Sequence, residues 1–279
     1  MSLECDHLEL IMTKKKSQYQ NISYHTDVHG VVTITLDRAE KHNAFNDEMI
    51  GELISGFERA NADKNARALV IAANGKSFCA GADLAWMQKM ANYSYEQNKQ
   101  DADKLALMFS TLYNLKVPTI ARVQGAAYGG AVGLIACCDI AVANKMSKFC
   151  LSEVKIGLVP ATISPYVIHA MGAHVAKRYF MTAEVFSSRR ARRLGLISET
   201  VSEDSLDDTI AEILSHILNN GPDAVKQAKA LVANIADKSI DAELIEQTSE
   251  LIARVRVSPE GQEGLNAFLQ KRKPSWRGE

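Results

Sequence analysis

The sequence carries no surplus of charge of either sign. Its 32 Lys and Arg residues stand against 33 Asp and Glu, for a formal net charge of −1. That balance removes the electrostatic reason to expect nucleic acid or an anionic membrane as the main partner. A membrane-length apolar run is missing too. The stretch from Val123 to Cys138 is too short, is interrupted by Gln124 and by glycines, and runs into Asp139. The first 20 residues lack the apolar core of a secretory signal and carry Lys14-Lys15-Lys16, so residues 1–18 read as a disordered tail. Cys5, Cys79, Cys137, Cys138 and Cys150 include no CxxC pair and have no histidines at metal spacing. Free buried thiols in a reducing compartment are therefore expected, with no metal site and a cytoplasmic location.

Several cofactor and nucleophile signatures are absent. There is no G-x-S-x-G elbow, and Gly129, Gly130 and Gly133 do not follow the order of a dinucleotide fingerprint. Gly75-Lys76-Ser77 resembles the end of a phosphate-binding loop, but that motif needs a glycine where Val70 stands. His169 and His174 are five residues apart, on different faces of a helix. Repeats and low-complexity segments are also lacking.

What is present is a chain of 279 residues, 47% hydrophobic and 23% charged, enough for one large core with a helical appendage. Tyr19 to His25 and Val31 to Asp37 read as a hairpin around His29-Gly30. Asn46 caps a predicted helix with Met49, Ile50, Leu53, Ile54 and Phe57 on one face. Ala68 to Ala72, Thr119 to Val123 and Asp139 to Ala143 read as strands, and Ser94 to Gln97 as a capping box opening a long helix. Alternation of strand and helix predicts an α/β core with largely parallel strands, whose ligand sites collect at strand ends. From about Asp204 the pattern is helical only: 204–219, 223–236, 240–257 and a last helix begun by Ser258-Pro259.

Two strand-end loops stand out. Residues 124–139 form a glycine-dense turn leading into an apolar helix, where Gly125, Gly129 and Gly130 allow close backbone approach and the first helical N–H groups face outward. Asn74 to Leu84 is a second small-residue loop before a helix near Asp83. Together they offer backbone donors to a developing negative charge, although glycines of this kind also serve plain helix-on-strand packing.

Three motifs resemble the crotonase superfamily, the enoyl-CoA hydratase and isomerase family: Phe78-Cys-Ala-Gly-Ala-Asp83, Gln124-Gly-Ala-Ala-Tyr-Gly-Gly130 through Asp139, and Phe149-Cys-Leu-Ser-Glu-Val-Lys-Ile-Gly-Leu-Val-Pro160. Lys41-His-Asn-Ala44 and Glu263 to Lys273 support the match, which spans roughly residues 20 to 276. The resemblance implies a ββα superhelix core over 19–203 and a helical oligomerisation region over 204–279. It implies an acyl-CoA thioester as substrate, no permanently bound cofactor, and a homotrimer or a dimer of trimers.

By the same resemblance, the N–H groups of Ala82 and Gly130 form an oxyanion hole for the thioester oxygen, and Glu153 is the acid–base carboxylate. Two-glutamate hydratases carry a further carboxylate where this chain has Gly133, so hydration and double-bond isomerisation by one glutamate both stay open. Lys41, Ala44, Ala80, Asp83, Met87, Phe268 and Lys271 are the implied substrate and CoA contacts. Cys150 to Val167, with Gly133, is similar to a branch acting on methylglutaconyl-CoA in leucine degradation. A distal carboxylate on such a substrate makes Lys155, His169 and Arg178 candidate partners, against the plainer reading of each as a solvated or packing residue. The alternative of another class is a non-catalytic CoA-binding or RNA-binding protein, with Arg189 to Arg193 and Lys14 to Lys16 as its basic clusters.

Overall fold

The computed structural model describes residues 18–277. Cys5, Lys14 to Lys16 and almost all of the expected tail lie outside the described residues. The chain opens with the antiparallel hairpin β1 (Ile22–Thr26) and β2 (Val31–Leu36), in register from Ile22 opposite Leu36 to Thr26 opposite Val32. The Asp27 carboxylate closes its turn by accepting the N–H groups of His29 and Val31 at 2.8 and 2.9 Å. Helix α1 (Asp47–Ala62) starts at Asn46, whose side chain accepts the Met49 N–H at 2.9 Å. All five expected apolar residues of its inner face are buried.

From there the chain moves back and forth between two sheets. Three successive strand pairs each give their first member to a large sheet and their second to a small one. These are β3 (Ala68–Ala73) with β4 (Ser77–Cys79), β5 (Thr119–Val123) with β6 (Ala126–Tyr128), and β7 (Ile140–Asn144) with β8 (Lys148–Cys150). Helices α2 (Leu84–Met90) and α3 (Tyr95–Tyr113) follow the first pair, α4 (Gly130–Ala136) the second, and α5 (Ser164–Met171) and α6 (Ala173–Thr182) the third. After β9 (Phe186–Ser187), α7 (Ser188–Arg193) and β10 (Glu199–Val201), the rest is helical: α8 (Leu206–Leu218), α9 (Pro222–Ile235), α10 (Ala242–Val257) and α11 (Pro259–Leu269).

The large sheet runs β1-β2-β3-β5-β7-β10, with only β1 antiparallel to its neighbour. The small sheet runs β4-β6-β8-β9, parallel except at β9. Side chains alternate across the large sheet. Leu69, Ile71 and Ala121 join the main core with α1 and α3, while Val31, Val70, Ile120 and Val142 meet Leu206 and Ile210 of α8. The C-terminal helices beyond α8 are attached differently. No residue of α9 is buried, and polar contacts tie it to its neighbours. Lys229 Nζ lies 2.7 Å from the Asp139 carboxylate and 3.0 Å from the Val117 carbonyl. The Glu260 carboxylate accepts the first N–H groups of α9, from Asp223 and Ala224. Among the described residues no helix is long and apolar enough to cross a membrane.

Candidate active site

Loop 80–83 is laced along the segment 42–45. The Ala80 N–H donates to the His42 carbonyl at 3.0 Å, the Phe45 N–H to Gly81 at 2.7 Å and the Asp83 N–H to Phe45 at 2.8 Å, making a parallel bridge between Phe45 and Ala82. Peptide groups alternate sides along an extended chain, so with both flanking peptides turned toward Phe45 the Ala82 N–H points away from it. Among the described residues no group accepts that hydrogen, and Ala82 is exposed. Gly81 sits at φ 97°, and a Cβ there would stand 3.1 Å from the Tyr128 carbonyl oxygen. Both the positive φ and this close approach favour glycine where the two loops meet.

The second loop follows β6. The Gly129 N–H donates to the Cys150 carbonyl at 2.8 Å, and Gly129 then turns at φ 55°, ψ −124° into α4. Gly130 is the first residue of that helix, where no carbonyl lies one turn back inside the helix to accept its N–H. Among the described residues no other acceptor takes it. A Cβ on Gly129 would lie 3.4 Å from Glu153 Oε1 and 3.9 Å from the Gly81 Cα, which brings both loops and the carboxylate to one point.

Glu153 begins a short 3-10 turn, Glu153–Ile156, just after β8. Its Oε2 is buried, and among the described residues nothing donates to it. Burial pushes the Glu153 carboxyl above its ordinary range, and its own backbone N–H offsets part of that. Two unspent N–H donors and one unspent buried carboxylate oxygen thus share a site, a combination suited to moving a proton beside a developing oxyanion.

Gly133, one turn further along α4, has different surroundings. A Cβ there would lie 2.2 Å from Ile163 Cγ2, 2.7 Å from Ile163 Cβ and 3.2 Å from Phe109 Cε1. The space that a side chain would need is filled by apolar atoms. Nothing in the sequence marks Ile163 as a neighbour of Gly133; it lies at the start of α5 and meets α4 only through packing.

The other expected residues are spread around this centre. Ala44 is buried, whereas Lys41 and Ala80 are exposed. Met87 lies on α2, its N–H donated to the Asp83 carbonyl at 2.9 Å. Asp83 is buried, and both carboxylate oxygens have partners: Oδ1 accepts the Ala85 and Trp86 N–H groups at the start of α2, and Oδ2 lies 3.1 Å from Arg38. Burial alone would raise this carboxyl, but those N–H groups and the guanidinium outweigh it and hold it below its ordinary value. Phe268, 81% exposed, and Lys271 stand at the far end of α11, which packs on α9 and α10. Arg178 is committed to Glu184 through two contacts, while Lys155 and His169 are exposed. The cysteines at 79, 137, 138 and 150 are free thiols, and burial pushes Cys79 up to about 12, too high for a thiolate. Sequence reasoning missed Arg38, Phe45, Phe109 and Ile163. Only Arg38 had a signal, as a charge two residues beyond a buried strand.

A family model described as enoyl-CoA hydratase/isomerase matches residues 26–279. The crystal structure of an enoyl-CoA hydratase from Shewanella pealeana is 47% identical, with a TM-score of 0.89, covering 93% of this chain and 97% of that one. An enoyl-CoA hydratase structure from Mycobacterium smegmatis is 32% identical at a TM-score of 0.87, covering 92% and 99%. Among curated proteins, 2,3-dehydroadipyl-CoA hydratase of Escherichia coli is 28% identical over 249 residues, 89% of this chain and 95% of its own length. The motif order, the two-sheet core and these matches over nearly the whole chain agree: it has the crotonase fold and belongs to the enoyl-CoA hydratase/isomerase family.

Proposed function

We propose that this chain adds water to a 2-enoyl-CoA through an enolate, with Glu153 handling the proton and the N–H groups of Ala82 and Gly130 stabilising the thioester oxygen. The observation that carries this reading is the buried Glu153 Oε2 without a partner, beside two N–H groups without an acceptor. Glu153 takes a proton from water as the oxygen bonds to the β-carbon, and the displaced electron pair comes to rest on the thioester oxygen. The protonated Glu153 then returns a proton to the α-carbon, restoring both carbonyl and carboxylate. One carboxylate suffices for both transfers, and a pKa raised by burial suits a group that must accept and release a proton.

For the acyl group we propose methylglutaconyl-CoA. The wording of residues 150–167 supports it, as does the similarity to a hydratase whose name specifies another dicarboxylic acyl chain. Lys155 and His169 are the candidates for its distal carboxylate, since Arg178 is held by Glu184. In this reading Phe268 and Lys271 join the site through assembly of copies as a trimer or a pair of trimers. The exposed apolar residues Val257, Leu265, Phe268 and Leu269 support such assembly.

The filled space at Gly133 favours a second reading, isomerisation of a 3-enoyl-CoA to its 2-enoyl form, in which Glu153 moves one proton between two carbons and no water need be held. Assays of crotonyl-CoA, methylglutaconyl-CoA and a 3-enoyl-CoA in parallel separate the two. Formation of a 3-hydroxyacyl-CoA, fastest from methylglutaconyl-CoA, is the expected result. Conversion of the 3-enoyl substrate with no hydration of the other two would replace the hydratase reading with the isomerase one.

A further inference from the structure

Arg38 follows β2 and is largely buried, its side chain 14% exposed beside Asp83 at 10%. One arm of the guanidinium, Nη1, donates to the Ala44 carbonyl at 2.6 Å, and the other, Nη2, reaches Asp83 Oδ2 at 3.1 Å. Those two acceptors lie on either side of the Phe45 bridge that aims the Ala82 N–H. The segment carrying Ala44 is itself held under strain. His42 and Asn43 are both left-handed, at φ 51° and 54°, a conformation that non-glycine residues populate sparsely. Asn43 is fully buried, and its side chain accepts from the Arg38 N–H at 2.9 Å while donating to the Asn74 and Ser77 carbonyls at 2.8 and 3.0 Å. A strained segment persists only where its surroundings over-determine it. Here the surroundings fasten 42–45 to the loop ending at Asp83.

Gly81 has no side chain to fix the direction of the next peptide, so the angle of the Ala82 N–H depends on its neighbours. We propose that Arg38 is a positioning residue for the enolate site, its two-armed contact with Ala44 and Asp83 holding the Ala82 N–H in line with the thioester oxygen. This rests on the reading of Ala82 and Gly130 as the oxyanion donors. Lysine cannot substitute, because one ammonium does not reproduce two divergent planar donors. Nor is Asp83 then a direct substrate contact; its carboxylate is the anchor on which Arg38 pulls.

The test uses the full chain with Arg38→Met and Arg38→Lys, and two probes besides turnover of the best enoyl-CoA. Acetoacetyl-CoA enolises, and its bound enolate is visible by near-ultraviolet absorption; butyryl-CoA has the same CoA portion but no enolate. For folded Arg38→Met, kcat should fall about 10- to 100-fold, the scale of a misplaced catalytic contact, with KM nearly unchanged. The affinity for the acetoacetyl-CoA enolate should fall by a similar factor and that for butyryl-CoA should hold. Arg38→Lys should show the same split, and it decides alone if the Met variant does not fold. Equal losses toward both ligands, or an unchanged kcat in a folded variant, would overturn the positioning role. If the wild-type chain binds acetoacetyl-CoA without the enolate band, the oxyanion reading itself fails; a normal wild-type band with unaltered variants removes only Arg38.

Discussion

Gly130 and Gly133 lie one turn apart on α4 and meet opposite surroundings. At Gly130 the backbone is partly exposed, its N–H has no acceptor among the described residues, and the Glu153 carboxylate stands beside the preceding residue. At Gly133 the same helix is closed by Ile163 and Phe109. The difference shows that the helix presents no polar gap at Gly133. The position is a packed apolar wall, so no second acid adds like-charge repulsion to Glu153, and burial is what raises that group.

The largest way to break this comparison is to remove the one carboxylate it leaves. Glu153→Gln should lower kcat by about 10²–10⁴-fold, the usual span for a general acid–base group, with the fold intact by circular dichroism. A loss under about tenfold would move the chemistry away from the Gly130 end of the helix. A smaller effect sharpens the closed end. Replacing a helical glycine by alanine ordinarily gains roughly 0.5–1 kcal/mol, but Gly133→Ala should lose stability in denaturant titrations because its Cβ would meet Ile163 Cγ2 at 2.2 Å. Pairing it with Ile163→Gly should recover about 0.5–3 kcal/mol as coupling energy. Additive effects would mean that the wall yields freely.

The smallest effect concerns pH. A carboxyl whose pKa is raised on folding binds more protons in the folded state, so it subtracts stability as pH rises from the ordinary value of 4.5 through the folded one. Glu153→Gln should therefore raise Tm relative to wild type at pH 7, and that advantage should shrink toward pH 4. An equal Tm difference at both values would show that ionisation of Glu153 costs the fold nothing.

Much of this was legible in the chain itself. The Asn46 cap, the Ser94-Gln97 capping box and the inner face of α1 are local patterns, and all three appear where the sequence predicts them. The helical region begins at Leu206 rather than Asp204, because residues 203–205 form a 3-10 turn. The division into two sheets was not legible. Strands β4, β6 and β8 have three residues each, too few to show alternation, so β6 was absorbed into the expected glycine turn. Ile163 and Arg38 act across the fold, on Gly133 and Asp83, and no spacing rule reports contacts made only after the superhelix closes.

The alternation between sheets gives the site a built-in ruler. Ala82, Gly130 and Glu153 each follow, within a few residues, one of three side-by-side parallel strands, β4, β6 and β8. Hydrogen-bonded strands sit about 4.8 Å apart, so the spacing among these three positions is set first by main-chain ladders, and side-chain contacts such as those of Arg38 are left to aim the groups. The stretch from Leu84 to Tyr93, with α2, lies outside those ladders and can change length or shape without stretching that ruler. That stretch can therefore vary while Ala82, Gly130 and Glu153 keep their places at the ends of the three strands.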